Sequence, residues 1–199
     1  KATLRVHQGQ RKLASRMRKK AERPLFLGGG GVNIARANEV FTEVASKTNV
    51  PVVTTIMGRG AIPTNHPLFI GNLGMHGAYA ANMAVSECDL LFSIGTRFND
   101  RITGKLHAFA PKAQIVHIDI DTASISRNIQ VHVPIVADAL EAVTKMNEYV
   151  EPCETEKWMN QILKWKEEHP LTMKDRGNMG PMDIIEEMTR QFDDAIITT

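Results

Sequence analysis

The sequence predicts an α/β fold with a doubly wound parallel sheet, and three observations carry the prediction. Short apolar runs without polar alternation, the mark of strands buried on both faces, recur at 24–27, 51–55, 90–94, 114–120 and 133–137. Stretches with apolar positions at helical spacing separate most of them, as crossover connections between parallel strands require. Glycine, threonine, arginine or aspartate stands where the runs stop, which is where such sheets place their loops.

Leu13, Ala14, Met17 and Ala21 recur at helical spacing until Pro24 ends the pattern, so Gln8 to Ala21 is expected to form a leading helix. Pro24 to Leu27 is the first strand, the four glycines Gly28 to Gly31 follow it, and Ile34 to Lys47 reads as one helix. Pro51 to Thr55 is the second strand. Gly71 to Gly77 reads as loop by its glycines, and Tyr79 to Glu87 as the helix after it. Leu90 to Ile94, Gln114 to Ile120 and Val133 to Ala137 complete the strands, and Leu140 to Tyr149 is a closing helix. From Val150 the texture changes to Val-Glu-Pro-Cys-Glu-Thr-Glu, a polar tryptophan-containing helix from Glu156 to Glu168, and a Gly/Pro/Met segment from Gly177 to Pro181. A helix from Met182 to Gln191 leads into the apolar Ala195 to Ile197, the expected first helix–strand unit of a further domain. The expected division is a basic linker helix at 1–23, a nucleotide-binding domain at 24–149, and a connector with the start of a truncated domain at 150–199. Both ends read as cuts through a longer chain. A stand-alone nucleotide-sensing module would instead predict a natural start near Lys1 and a polar terminus after Asn178.

Composition narrows the class. In 199 residues, 43% hydrophobic and 23% charged, no apolar run approaches the roughly 18 residues a membrane span needs. Cys88 and Cys153 are far apart and in no Cys-x-x-Cys or His-rich setting, which disfavours a disulfide framework or zinc site and fits a reducing cytoplasm. The first 23 residues carry nine Lys or Arg against one acid in a chain of net charge +2. Without interleaved aromatics, that run reads as a solvated helix face and not as a nucleic-acid surface.

Ligands of open parallel sheets sit at the carboxyl ends of strands. Gly28 to Gly31 either bring backbone amides close to a phosphate or serve only the turn. Read as Gly-x-Gly-x-x-Gly from Gly28, the third glycine position holds Asn33, and no acid follows about 20 residues on, which disfavours a nicotinamide dehydrogenase. Thr54 to Gly58, Gly95 to Phe98 and Asp119 to Asp121 end the next strands, so one ligand could touch all four. Asp119 suits a ribose or adenine acceptor or, equally, an N-cap. His76 is a proton carrier or a loop-supporting residue. Arg97 and Arg101, flanking Asn99 and Asp100, suit an anionic ligand or an internal ion pair with Asp100. Met57, Met75 and Met83 read as adaptable packing surface.

Together, Arg23 to Gly31, Thr54 to Gly60, Gly71 to Gly77, Gly95 to Gly104 and His117 to Asp121 resemble the acetohydroxyacid synthase large-subunit family over nearly the whole chain. The Leu-Gly-Met-His-Gly and Gly-x-Arg-Phe-x-Asp-Arg-x-Thr-Gly elements weigh most, and Asn99 replaces the family's usual Asp. Glyoxylate carboligase, a flavin-containing relative, shares the Ile-Asp-Ile pattern but matches the Met-His-Gly loop less well.

The resemblance implies a Rossmann-like, DHS-like central domain that binds FAD in an extended pose, with thiamine diphosphate and Mg2+ held by two outer domains. It implies condensation of decarboxylated pyruvate with a second 2-ketoacid in branched-chain amino-acid biosynthesis, the flavin being largely structural. Carried onto matching positions, the flavin contacts are Gly29, Gly30, Thr55, Ile56, Leu73, Gly74, Met75, His76, Gly95, Thr96, Arg97, Phe98, Asn99, Asp119, Ile120, Asp138 and Ala139, while Arg101 faces the second ketoacid. The family's catalytic glutamate and its Gly-Asp-Gly segment have no counterpart here, so the chain alone is expected to be silent. A homo-oligomer with a possible regulatory subunit, and neither nucleic acid nor membrane, completes the expectation.

Overall fold

The computed structural model describes residues 21–171 and 180–192. Six strands, β1 (Pro24–Gly28), β2 (Val52–Thr54), β3 (Phe69–Asn72), β4 (Leu90–Ile94), β5 (Gln114–Asp119) and β6 (Val133–Val136), form one sheet in the order β3-β2-β1-β4-β5-β6. Every pairing is parallel. The helices are α1 (Gly30–Ile34), α2 (Asn38–Thr48), α3 (Tyr79–Glu87), α4 (Asp100–Thr103), α5 (Ala139–Asn147), α6 (Glu156–Glu168) and α7 (Pro181–Gln191). This is the doubly wound α/β architecture that the sequence predicts.

Strand residues alternate between two apolar layers. Phe26, Phe92 and Val116 pack under α2 and α5 with Phe41 and Val143, while Leu25, Leu91 and Ile115 face α3 and α6 with Ala84 and Ile162. Burial on both faces removes the hydrophobic–polar alternation from β1 and β4, whose residues are all buried. Trp158 of α6 donates its indole N–H to the carbonyl oxygen of Pro24 at 3.1 Å and stacks edge-on with Trp165, fixing this helix beside the start of β1. The sequence from Val150 thus supplies one of the helices that cover the sheet as well as a connection.

Two elements depart from the sequence-based expectation. Phe69–Asn72 is a strand, although its glycine reads as loop: Gly71 adopts φ +145° beside a register shift between Val52 and Val53, and a Cβ there would lie 3.0 Å from that of Ala78. The helix expected from Ile34 to Lys47 begins only at Asn38, and a separate short helix covers Gly30–Ile34, because Arg36 turns left-handed at φ +55° between them. All but the last residue of the leading helix expected from Gln8 to Ala21, the first three residues of the segment Gly177 to Pro181, and the apolar run 195–197 lie outside the described residues. No helix among the described residues is long and apolar enough to cross a membrane.

Candidate functional site

Because all strands run parallel, the loops after them gather at one edge. The chain leaves β1 toward β2 but leaves β4 toward β5, so the strand order reverses between β1 and β4, where such folds open a crevice. Backbone packs on backbone there. Gly29 N–H donates to Ile94 O at 2.9 Å and Gly31 N–H to Gly95 O at 3.1 Å. A Cβ on Gly29 would stand 2.1 Å from Gly95 O, and one on Gly95, at φ +63°, would stand 2.5 Å from Gly31 Cα. Two glycines of the run therefore serve the contact between loops, and Gly30, whose Cβ would meet only Met57, is the one left facing the turn after β2.

Side-chain amides hold the neighbouring loops. Asn33 Nδ2 donates to the carbonyls of Met57 and Arg59 at 3.0 Å, and Asn38 Nδ2 donates to Asn33 Oδ1 and Gly60 O. Thr55, buried, accepts from Gly58 N–H through its hydroxyl, leaving Ile56 exposed. After β3, buried Leu73 donates its amide to Thr54 O, and Asn82 exchanges two hydrogen bonds with the backbone of Gly74. Met75 N–H then reaches Arg101 O at 3.2 Å, joining the β3 loop to α4. His76 is exposed and its ring has no hydrogen-bond partner among the described residues; Asn82 supports that loop instead.

The loop after β4 alternates burial. Thr96 and Phe98 are buried, whereas Arg97 and Asn99 are exposed. Phe98, at φ +49°, packs edge-on against His117 and Phe109, and its carbonyl accepts from Asn128 Nδ2 at 2.8 Å. No ion pair joins Asp100 to Arg97 or Arg101 among the described residues, so the internal pairing open in the sequence does not form.

Asp119 caps no helix. Its Oδ1 accepts from Asp121 N–H at 2.8 Å, and its Oδ2 lies 3.7 Å from His117 Nε2. Asp121 takes the Ser124 hydroxyl and the Ala123 amide, and these bonds, with Arg97 and Arg127 nearby, hold its carboxyl below the ordinary value. The capping acid is Asp138, which accepts from the amides of Leu140 and Glu141 at the start of α5, just ahead of buried Ala139. Exposed apolar side chains ring this edge: Ile56 and Met57 at 72%, Met75 at 69% and Ile120 at 61%, so neither methionine packs inside. Met83 is half-buried on α3.

Sequence reasoning misses the roles of Asn33, read only as a departure from the glycine pattern, and of His117, Asn82 and Asn128, all of which place the loops through side-chain hydrogen bonds. The only available signal is a histidine within the apolar run 114–120. A cavity of about 1660 Å3 lined by Arg23, Asn49, Leu68, Glu87 and Trp158 lies at the opposite, amino ends of the strands and takes no part in this edge.

The edge consists of exposed arginines that form no direct ion pair among the described residues, backbone turns and exposed apolar groups. Residues 11–146 match the family described as thiamine pyrophosphate enzyme, central domain. The chain is 40% identical over 204 residues to the probable acetolactate synthase large subunit of Methanocaldococcus jannaschii, covering 97% of this chain and 34% of that protein. It is 41% identical over 185 residues to the acetolactate synthase large subunit of Parasynechococcus marenigrum, covering 90% and 30%. That of Cyanidium caldarium is 40% identical over 187 residues, covering 90% and 32%. The chain spans about a third of the length of these curated relatives. By its sequence match and its six-stranded parallel sheet, the chain belongs to the family of thiamine pyrophosphate enzyme central domains.

Proposed function

We propose that this chain is the FAD-binding central domain of an acetolactate synthase large subunit, which condenses decarboxylated pyruvate with a second 2-ketoacid in branched-chain amino-acid biosynthesis. One observation carries the flavin assignment: among the described residues neither Arg97 nor Arg101 forms a direct ion pair, Asp121 acting on Arg97 only at longer range, and both follow β4 on the sheet edge that exposes Ile56, Met57, Met75 and Ile120. Unpaired guanidinium groups bind phosphate, and exposed apolar side chains accept a flat ring.

The residues fit such a ligand. Arg97 takes the diphosphate with the amides of Gly30 and His76, while Gly29, Leu73, Gly74 and Met75, whose amides are already bonded within the protein, shape the turns that bring the backbone close to it. Ile56, Met57 and Met75 take the ring, with Thr55, Gly95, Thr96, Phe98 and Asn99 shaping the turns. Asp119 and Ile120 take the adenosine end, and Asp138 with Ala139 closes it. Arg101 faces the second ketoacid.

Thiamine diphosphate supplies the carbanion chemistry when bound, and this chain's residues orient substrate and exclude water. No three His, Cys, Asp or Glu group into a metal site among the described residues, and the reading assigns thiamine diphosphate and Mg2+ to outer domains. The relatives' designation as large subunits supports a regulatory small subunit as partner, and a homo-oligomer belongs to the same proposal. The low cysteine content supports a cytoplasmic location.

Titration of this chain with FAD, followed by flavin fluorescence and melting temperature, tests the reading. Saturable binding is expected, weaker than in the natural full-length protein by about 100-fold if two charge-assisted contacts come from other domains. No binding by either form contradicts it.

A further inference from the structure

We propose that His117 is a positioning residue for Arg97, acting through the loop between β4 and α4. This rests on the reading that the carboxyl edge binds FAD. His117 is fully buried on β5, opposite Ser93 of β4, in a strand whose neighbours Val116 and Ile118 are apolar. Its Nε2 lies 2.8 Å from Thr96 O. A carbonyl oxygen only accepts, so Nε2 carries the hydrogen and donates it. Nδ1, buried and without a partner among the described residues, then keeps a lone pair and no orphaned donor. The ring also meets Phe98 edge-on at a centroid distance of 4.8 Å.

Arg97 lies between these two contacts. The residue before it is held through its carbonyl, and the residue after it through its ring and through the Asn128 bond to its carbonyl. Phe98 keeps φ +49°, a conformation that a bulky side chain occupies only when its surroundings fix it. The anchors restrict the backbone of the single exposed arginine between them, so His117 touches no ligand yet sets where the guanidinium stands.

A double-mutant cycle on FAD affinity in the natural full-length protein tests this. Arg97→Ala is expected to weaken binding about 30-fold, as loss of a charge-assisted bond does. His117→Phe, which keeps a ring but removes the donor, is expected to weaken it about tenfold, and His117→Gln, which restores an N–H at similar reach, to recover most of that. In the Arg97→Ala background, His117→Phe is expected to cost nothing further. Additive losses, or a His117→Gln protein no better than His117→Phe, overturn the positioning role and leave the flavin reading intact. If Arg97→Ala binds FAD as the parent does, Arg97 does not hold the flavin and the positioning role is overturned; if the parent itself binds no FAD, the flavin reading fails. Should His117→Phe not fold, Asn128→Ala, in the β5–β6 connection that holds the same loop through Phe98 O, replaces it, with a loss of about fivefold expected only while Arg97 is present. A loss that persists without Arg97 overturns the proposal.

Discussion

The amide of Met75 donates to the carbonyl oxygen of Arg101 at 3.2 Å, which ties the loop after β3 to α4. Gly74, at φ +112°, makes this possible, since a Cβ there would stand 2.7 Å from the same oxygen. Gly74→Ala is therefore expected to cost about 2 kcal/mol of stability. Urea denaturation measures it, and an unchanged midpoint would show that the two loops are independent.

Gly95 and Gly60 separate strain from clash. Both have positive φ, but a Cβ on Gly95 meets Gly31 Cα at 2.5 Å, whereas one on Gly60 meets nothing within 4 Å. Gly60→Ala is expected to cost about 1 kcal/mol, the conformational penalty alone, and Gly95→Ala about 3 kcal/mol or more. Equal losses in urea midpoint would contradict the close backbone packing of β1 and β4 loops.

Asp138 caps α5 through the Leu140 and Glu141 amides. Asp138→Ala is expected to destabilise the fold by about 1 kcal/mol, and Asp138→Ser to recover most of it. Thermal melts of the two variants read the difference, and an Ala variant as stable as the parent removes the cap from the account.

Burial pushes the Cys88 thiol up from 9.0 to about 12, with the Asp89 carboxylate adding to the effect. The folded state favours the neutral thiol, so this contribution is fully present below pH 9.0 and is lost as pH rises from there toward 12. In native protein Cys88 is expected to resist iodoacetamide at pH 8, becoming reactive on unfolding. Rapid native labelling at Cys88 would show that the α3–β4 junction opens.

The strands were legible because β1, β4 and β5 are mostly apolar without regular hydrophobic–polar alternation, a pattern that burial on both faces imposes. Phe69–Asn72 was not, since Gly71 takes a strand position through a register shift that no local pattern announces. Arg97 and Arg101 could be nominated from their place after a strand. Whether Asp100 neutralised them could not, because that depends on side-chain directions around α4. His117 and Asn128 act across 21 and 30 residues of sequence, on Thr96 and Phe98, so only the folded sheet brings them to the loop.

The central claim is that the carboxyl edge of this sheet holds FAD through Arg97. A crystal structure of the natural full-length protein with FAD tests it most directly. The account predicts an extended flavin crossing the ends of β1, β2, β4 and β5, with a diphosphate oxygen within hydrogen-bond distance of the Arg97 guanidinium. Flavin bound elsewhere, or bound here with Arg97 turned to solvent, would contradict it.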